Sequence, residues 1–298
     1  MCRPQQVWHW NFPSLHRKDI AMSTPQTSAV TNTNGRLQGK VAIVTGAGCV
    51  GPGWGNGRAV AVLFAQAGAT IFAVDKNAEA MEETIRRVRE VGGTISAHTC
   101  DVTDSTSVAE MVAACEAQYG RVDILVNNVG GSAAGGPVAL AEEKWDAQVD
   151  FNLKSVYLTC KHVLPVMEKQ GKGAIVNTAS TSGIRWTGSA QVAYAACKAG
   201  VIQLSRVVAV EYAKKGIRVN TVVPGQLHTP MVEVRLAGQR SGGDVDKLLE
   251  SRVARIPLGF MGDGRDTANA ALFLASDEAQ FVTGTEIIVD GGMTARCD

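Results

Sequence analysis

The stretch Val41-Ala42-Ile43-Val44 carries four apolar residues with no polar alternation, as expected of a strand covered on both faces. Similar β-branched runs predict strands at 41–45, 70–75, 94–99, 124–126, 174–178, 217–223 and 286–289. Between them, helical periodicity predicts helices at 58–67, 78–91, 105–119, 142–169, 191–215 and 265–275. Lys214 and Lys215 followed by Gly216 suit a helix end, with cations at its negative pole and glycine just beyond. Strand–helix alternation calls for βαβ units and a parallel sheet. The expectation is a single doubly wound α/β domain over residues 37–298, with a seven-stranded parallel sheet flanked by helices on both faces.

Two segments depart from that rhythm. Residues 229–257 hold Gly238, Gly242 and Gly243 with Arg235, Arg240, Arg252 and Arg255, and carry no strand signal. Placed directly after a strand end, where α/β folds bind ligands, this excursion reads as a substrate lid. Residues 1–36 differ in another way. Their first part lacks the uninterrupted apolar core of a secretory signal, and 24–34 is rich in Thr, Ser, Asn and Gln. They read as a disordered leader or upstream extension, with Met22 opening a more ordinary N-terminus.

Composition narrows the partners. With 29 basic against 28 acidic residues, no charge excess draws the chain to nucleic acid or to an anionic membrane. No uninterrupted apolar run reaches the ~18 residues of a spanning helix. The cysteines are scattered, with no Cys-x-x-Cys and no metal-like spacing to histidine. They read as reduced thiols in a cytoplasmic enzyme without a metal site.

Chemistry enters at two places. After the first strand, the glycine-rich stretch from Thr45-Gly46 to Gly55-Asn56-Gly57-Arg58 leads into a helix. Glycines there let the backbone approach a pyrophosphate, and the helix N-terminus offers it N–H donors. The second strand ends at Asp75, whose carboxylate can accept from adenosine ribose hydroxyls and would repel a 2′-phosphate; the adjoining cation is Lys76. NAD is therefore expected over NADP. Downstream, Tyr194 and Lys198 stand four residues apart on a predicted helix and share one face. An ammonium beside a phenol favours the phenolate, giving a group that exchanges a proton near neutral pH, as carbonyl redox chemistry requires. Ser180 ends the preceding strand.

Taken in register, these residues resemble the short-chain dehydrogenase/reductase family, from Leu37 to Gly292. Thr45-Gly46 with Gly55, Asn56 and Gly57 is similar to its Thr-Gly-x-x-x-Gly-x-Gly cofactor loop, and Asp101-Val102 to the pair that contacts adenine. Asn127-Asn128-Val129-Gly130 resembles Asn-Asn-Ala-Gly. Pro224-Gly225 with Leu227 and Thr229 resembles the segment that holds the nicotinamide carboxamide. Asn152, Ser180, Tyr194 and Lys198 match the catalytic tetrad. The resemblance implies a Rossmann-type fold and hydride transfer between a nicotinamide cofactor and a secondary alcohol or ketone. Tyr194 would be the base, with Lys198 tuning it and binding the ribose. Ser180 would hydrogen-bond the substrate oxygen, and Asn152 would hold a relay water. A homotetramer or homodimer through the two long helices and the last helix and strand is also implied.

Three departures stand out. The glycine loop is lengthened by Gly51-Pro52-Gly53-Trp54, and Trp54 suits either shielding of the adenosine or packing on the loop. Ser180 precedes Tyr194 by 14 residues, one more than is commonest, which keeps Ser182 as the alternative hydroxyl. Val129 replaces the usual alanine near the nicotinamide ribose. Ile184 and Trp186 suggest one apolar wall for the substrate, and Arg185 is either a surface cation or an anion contact. The expected function is an NAD-dependent oxidoreductase of a small secondary alcohol or ketone: a sugar, sugar acid, cyclic or aryl alcohol. The alternatives are a 3-oxoacyl thioester reductase and a catalytically silent NAD-binding regulator.

Overall fold

The valine- and isoleucine-rich runs pair into one sheet whose registered strand pairs are all parallel. Its strands are β1 (Val41–Thr45), β2 (Thr70–Asp75), β3 (Thr94–Thr99), β4 (Ile124–Asn127), β5 (Gly173–Thr178), β6 (Ile217–Pro224) and β7 (Glu286–Val289). The computed structural model describes residues 35–236 and 244–297. The leader expected over 1–36 lies, but for its last two residues, outside them, as do Gly238, Arg240, Gly242 and Gly243 of the lid.

The sheet order is β3-β2-β1-β4-β5-β6-β7, so the winding reverses between β1 and β4. A crevice opens at such a reversal, outside the carboxyl ends of the strands. Alternate residues of the inner strands feed two cores. Ala42, Val44, Ile71 and Ala73 pack under α1 (Asn56–Gln66), α2 (Ala78–Glu90) and a late helix, Gly264–Ala275. Ile43, Phe72 and Val74 pack with α3 (Ser105–Tyr119) and with two long helices described next. Burial on both faces accounts for the missing alternation in the sequence.

The helix expected over 142–169 is interrupted. It consists of α4 (Glu142–Val149), a π turn (Asp150–Lys154) and α5 (Ser155–Gln170). The side chain of Asn152 inserts here: its Nδ2 donates to the Gln148 carbonyl at 3.0 Å, taking the acceptor that an α-helix would give to backbone. Pattern reading cannot see this, because the residues around it remain good helix formers.

Helix α6 (Val192–Tyr212) follows β5. With its closing turn it spans Val192–Lys215 and holds an 18-residue window of mean hydropathy 1.2, enough by length and composition to cross a membrane. A count of uninterrupted apolar residues overlooks it, because Lys198, Arg206 and Glu211 break the run. Its buried Val201, Ile202 and Ala209 belong to the sheet core, so it packs as a core helix. The 229–257 segment, expected to carry no strand, contains a π turn (Val232–Leu236) and α7 (Val245–Val253), whose Asp244 cap accepts from Lys247 N at 2.9 Å. Helix α8 (Gly264–Ala275) closes the helix set against α1.

A polar ladder crosses the core beneath the crevice. Thr159 Oγ1 donates to Asn127 Oδ1 at 2.8 Å, Asn127 Nδ2 to Asn177 Oδ1 at 2.9 Å, and Asn177 Nδ2 to Ser205 Oγ at 2.8 Å. Each of the four is buried and satisfied, so α5, β4, β5 and α6 are locked in one register.

Candidate active site

The cofactor half is built from backbone packed on backbone. Gly46 turns out of β1 in the left-handed region (φ 63), and α1 starts at Asn56 with Gly55 as its cap. Gly57 faces the Gly46 carbonyl so closely that a β-carbon would strike it and would lie 2.6 Å from Asn128 Nδ2. Only glycine lets the helix N-terminus sit on the strand exit. Asn128 fixes the same point, donating from Nδ2 to the Gly46 carbonyl at 3.1 Å while its backbone N–H reaches Thr45 Oγ1 at 3.2 Å. Val129 packs directly behind Gly46.

Asp75 fastens the loop from the other side. Its Oδ2 accepts from Gly48 N at 3.0 Å and its Oδ1 from Asn77 N at 3.1 Å. Lys76 turns away to Asp101 at 2.6 Å and, with Thr103, pulls that carboxyl down to about 2. Val102 beside it is buried. The cation next to Asp75 is thus already committed to a carboxylate.

The inserted Gly51-Pro52-Gly53-Trp54 is held by a residue that sequence reasoning missed. Arg58 is buried in the first turn of α1 and donates to the carbonyls of Gly51 and Gly53 at 3.1 and 2.9 Å, and to Thr84 Oγ1 at 3.2 Å. Burial lowers its pKa. The available signal was a cation in a helix's first turn, where the dipole favours anions. Trp54 packs against the core under α1, α2 and α8, its ring 4.5 Å from the Arg87 guanidinium and 5.4 Å from that of Arg265. The insertion also approaches the segment after β6: a β-carbon at Gly51 would lie 3.3 Å from that of Pro230.

The catalytic candidates converge on α6. Lys198 is 2% exposed, and burial brings its pKa down to about 8. Its Nζ donates to the Thr178 carbonyl at 2.8 Å and lies 5.8 Å from the centroid of the half-buried Tyr194 ring. A β-carbon at Gly130 would sit 2.9 Å from Lys198 Nζ and 3.0 Å from Asn152 Oδ1, so that backbone threads between the two side chains. Asn152 is fully buried and pairs reciprocally with Gly131, donating at 3.1 Å and accepting at 3.0 Å. Ser180, two residues beyond β5, accepts from Ser182 N at 3.2 Å. The Ser182 hydroxyl is instead engaged with Gln191 Nε2 at 2.6 Å and Thr187 Oγ1 at 3.1 Å. Pro224, Gly225, Leu227 and Thr229 follow one another out of β6; Gly225 N is anchored on the Val289 carbonyl at 2.9 Å and Leu227 is buried.

Two cavities, of about 370 and 300 Å³, flank the segment that enters α6. One is walled by Trp186, Pro137 and Arg185, with Trp186 76% exposed. The other is lined by Gln226, Arg252 and Arg255. Gln191 and Gln226 were not singled out from the sequence, since a lone glutamine carries no spacing signal. A larger cavity of about 630 Å³ lies elsewhere, beside Gly173 and Ile217 at the amino ends of β5 and β6, where Lys40 and Lys172 are both paired with Asp277.

The residues present fit a nicotinamide dinucleotide. The Lys198 ammonium has three donors and spends one on Thr178, leaving others for ribose hydroxyls. Asn56 Oδ1, at the start of α1, is buried without a hydrogen-bond partner. These groups and the glycine turn all lie at the strand-order reversal.

Comparison with known proteins agrees. Residues 52–294 match the family model described as enoyl-(acyl carrier protein) reductase. The chain is 41% identical over 258 residues to the 3-oxoacyl-[acyl-carrier-protein] reductase FabG of Thermotoga maritima, covering 87% of this chain and 99% of that one. It is 35% identical over 257 residues to the 2,5-dichloro-2,5-cyclohexadiene-1,4-diol dehydrogenase LinX of Sphingobium indicum, covering 86% and 97%. A crystal structure of a short-chain dehydrogenase/reductase from Burkholderia xenovorans is 67% identical, with a TM-score of 0.86 over 89% of this chain and all of that one. With a Rossmann-type parallel sheet, a glycine turn at its switch point and relatives named as oxidoreductases, the chain belongs to the short-chain dehydrogenase/reductase family and is an NAD(P)-dependent oxidoreductase of CH–OH groups.

Proposed function

We propose that this protein is an NAD-dependent dehydrogenase or reductase of a small secondary alcohol or ketone, with Asn152, Ser180, Tyr194 and Lys198 as its catalytic set. The observation that carries the reading is the buried ammonium of Lys198, held by the Thr178 carbonyl 5.8 Å from the Tyr194 ring. In the oxidation direction, alcohol and NAD⁺ give ketone, NADH and one proton. When bound, the nicotinamide supplies the hydride acceptor or donor.

The chain's own residues manage the proton and the charge. Tyr194 takes the hydroxyl proton from the substrate oxygen, and the nearby Lys198 ammonium stabilises the phenolate. Ser180, whose backbone position is fixed by the turn onto Ser182, hydrogen-bonds the same oxygen as its charge changes. Asn152, in the π turn beside Gly130, gives the proton a way out through a held water. The Ser182 hydroxyl is already engaged with Gln191 and Thr187, which favours Ser180 for the substrate. Gly46, Gly55, Asn56 and Gly57 cradle the pyrophosphate. Asp101 and Val102 border the adenine, Asn128, Val129 and Gly130 the ribose, and Pro224, Gly225, Leu227 and Thr229 the carboxamide.

Asp75 supports NAD over NADP: a carboxylate at the end of β2 repels a 2′-phosphate, and Lys76 is bound to Asp101. Asp75→Ala is expected to reduce the ratio of kcat/KM with NAD to that with NADP by at least tenfold. A wild-type enzyme that already prefers NADP would refute this assignment. The exposed Tyr157, Val207 and Val210 on the two long helices support a homotetramer or homodimer, read by light scattering.

The likeness to Thermotoga maritima FabG favours a second reading, reduction of 3-oxoacyl thioesters. Such an enzyme draws on NADPH, against which Asp75 argues. Assays of acetoacetyl-CoA with NADPH beside secondary alcohols with NAD separate the two.

A further inference from the structure

The cavity of about 370 Å³ beside α6 has a composition that hydride transfer alone does not call for. Gly135, Ser189 and Ala190 form one wall, Gln226 another, and Arg252 and Arg255 come from α7 and the turn after it. These segments gather at the carboxyl end of the sheet, on the side where Ser180 and Tyr194 lie. Arg252 is buried and donates to the Leu227 carbonyl at 3.2 Å. Arg255 donates to the Thr187 carbonyl at 2.9 Å. Gly188 makes room for it: with φ 87, a β-carbon there would fall 2.5 Å from the Arg255 guanidinium carbon.

Among the described residues, none that lines this cavity is acidic. Instead it presents two guanidinium groups together with acceptor atoms that lack partners. Gln226 is 5% exposed, and its Nε2 reaches the Thr187 carbonyl at 3.5 Å while its Oε1 is buried without a hydrogen bond. Ser189 Oγ is likewise buried and unpartnered. A buried acceptor left without a donor costs free energy until a ligand supplies one. Guanidinium forks suit a carboxylate, and the acceptors suit hydroxyl donors.

We propose that this cavity is the carboxylate subsite of the substrate, which makes the substrate a small polyhydroxylated acid, oxidised at a secondary alcohol or reduced at the corresponding ketone. This rests on the dehydrogenase reading and adds the class of molecule to it. Arg255 holds the carboxylate, the charge of Arg252 lies alongside, and Gln226 and Ser189 accept from neighbouring hydroxyls.

The test uses probe pairs that differ by one carboxylate: 4-(1-hydroxyethyl)benzoate with 1-phenylethanol, and 3-hydroxybutyrate with 2-butanol, each with NAD. The acid is expected to exceed its neutral twin in kcat/KM by about tenfold or more. Arg255→Gln should collapse that ratio toward one, and Arg255→Lys should keep part of it. A neutral twin that is used as well or better, a ratio that survives Arg255→Gln, or a preference for acetoacetyl-CoA over every acid overturns the proposal. Should no pair turn over, benzoate and benzamide are compared as ligands of the NADH-bound enzyme by nucleotide fluorescence. Benzoate binding that is lost in Arg255→Gln supports the subsite, and equal binding of the two overturns it while leaving the dehydrogenase reading intact. Failure of NADH itself to bind removes both.

Discussion

The two halves of the active site are made in different ways. On the cofactor side, Gly46, Gly57 and Asn128 meet through backbone atoms and one amide, in segments next to their own strands. On the substrate side, Gln226 and Arg255 reach from distant segments with their side chains to one carbonyl, that of Thr187, and Trp186 beside it walls a neighbouring cavity. The first half tolerates almost no change of shape, whereas the second can be altered at exposed positions such as Trp186 and Arg255. Such a division lets a family keep one cofactor while exchanging its substrates.

Substitutions on each side should separate the halves, the largest effect falling where they join. Tyr194→Phe keeps the ring and removes the proton carrier, so turnover is expected to drop by about 10²–10⁴-fold while NADH titration stays close to wild type. Activity left intact would remove the base from the scheme. Gly57→Val tests the rigidity of the cofactor half. Its branched side chain meets the Gly46 carbonyl, and a loss of about 1–3 kcal/mol in denaturant unfolding should accompany a collapse of NADH affinity. A variant that folds and binds NADH normally would erase the contrast between the halves.

Lys198→Met examines the cost of the junction. Folding lowers the Lys198 pKa from 10.5 to about 8, so between those values the unfolded chain holds a proton that the native chain has lost. Wild-type stability therefore rises with pH across that window from this group, and below it the buried ammonium is a destabilising charge. At pH 7 the variant should melt higher than wild type, by about 2–4 °C per kcal/mol relieved, with the gap closing toward pH 10.5 and turnover abolished. A lower melting temperature at pH 7 would mean that the bond to the Thr178 carbonyl outweighs the cost of burial. Trp186→Ala, on the exposed substrate wall, should change stability by less than about 0.5 kcal/mol and shift KM for aryl alcohols only a few-fold.

The same division governs what the sequence discloses. The strands and the helices after them were legible because Val41-Ala42-Ile43-Val44 and its counterparts are local patterns. So were the turn at Gly46 and the approach of Lys198 to Tyr194, which depend on spacing within one or two elements. The break at Asn152 was not legible, since it arises when one side chain takes the Gln148 carbonyl within an otherwise helical run. Arg58 was missed because its partners are backbone carbonyls of an insertion, and carbonyls leave no trace in residue identity. The ladder through Asn127, Asn177 and Ser205 joins three elements, and no one-dimensional pattern links them.

The inserted loop is braced from two sides. A β-carbon at Gly51 would lie only 3.3 Å from that of Pro230, and Arg58 pins Gly51 and Gly53 from within α1. A longer loop is here not a looser one: a buried guanidinium holds two of its carbonyls, and the neighbouring proline leaves little room for a side chain at Gly51.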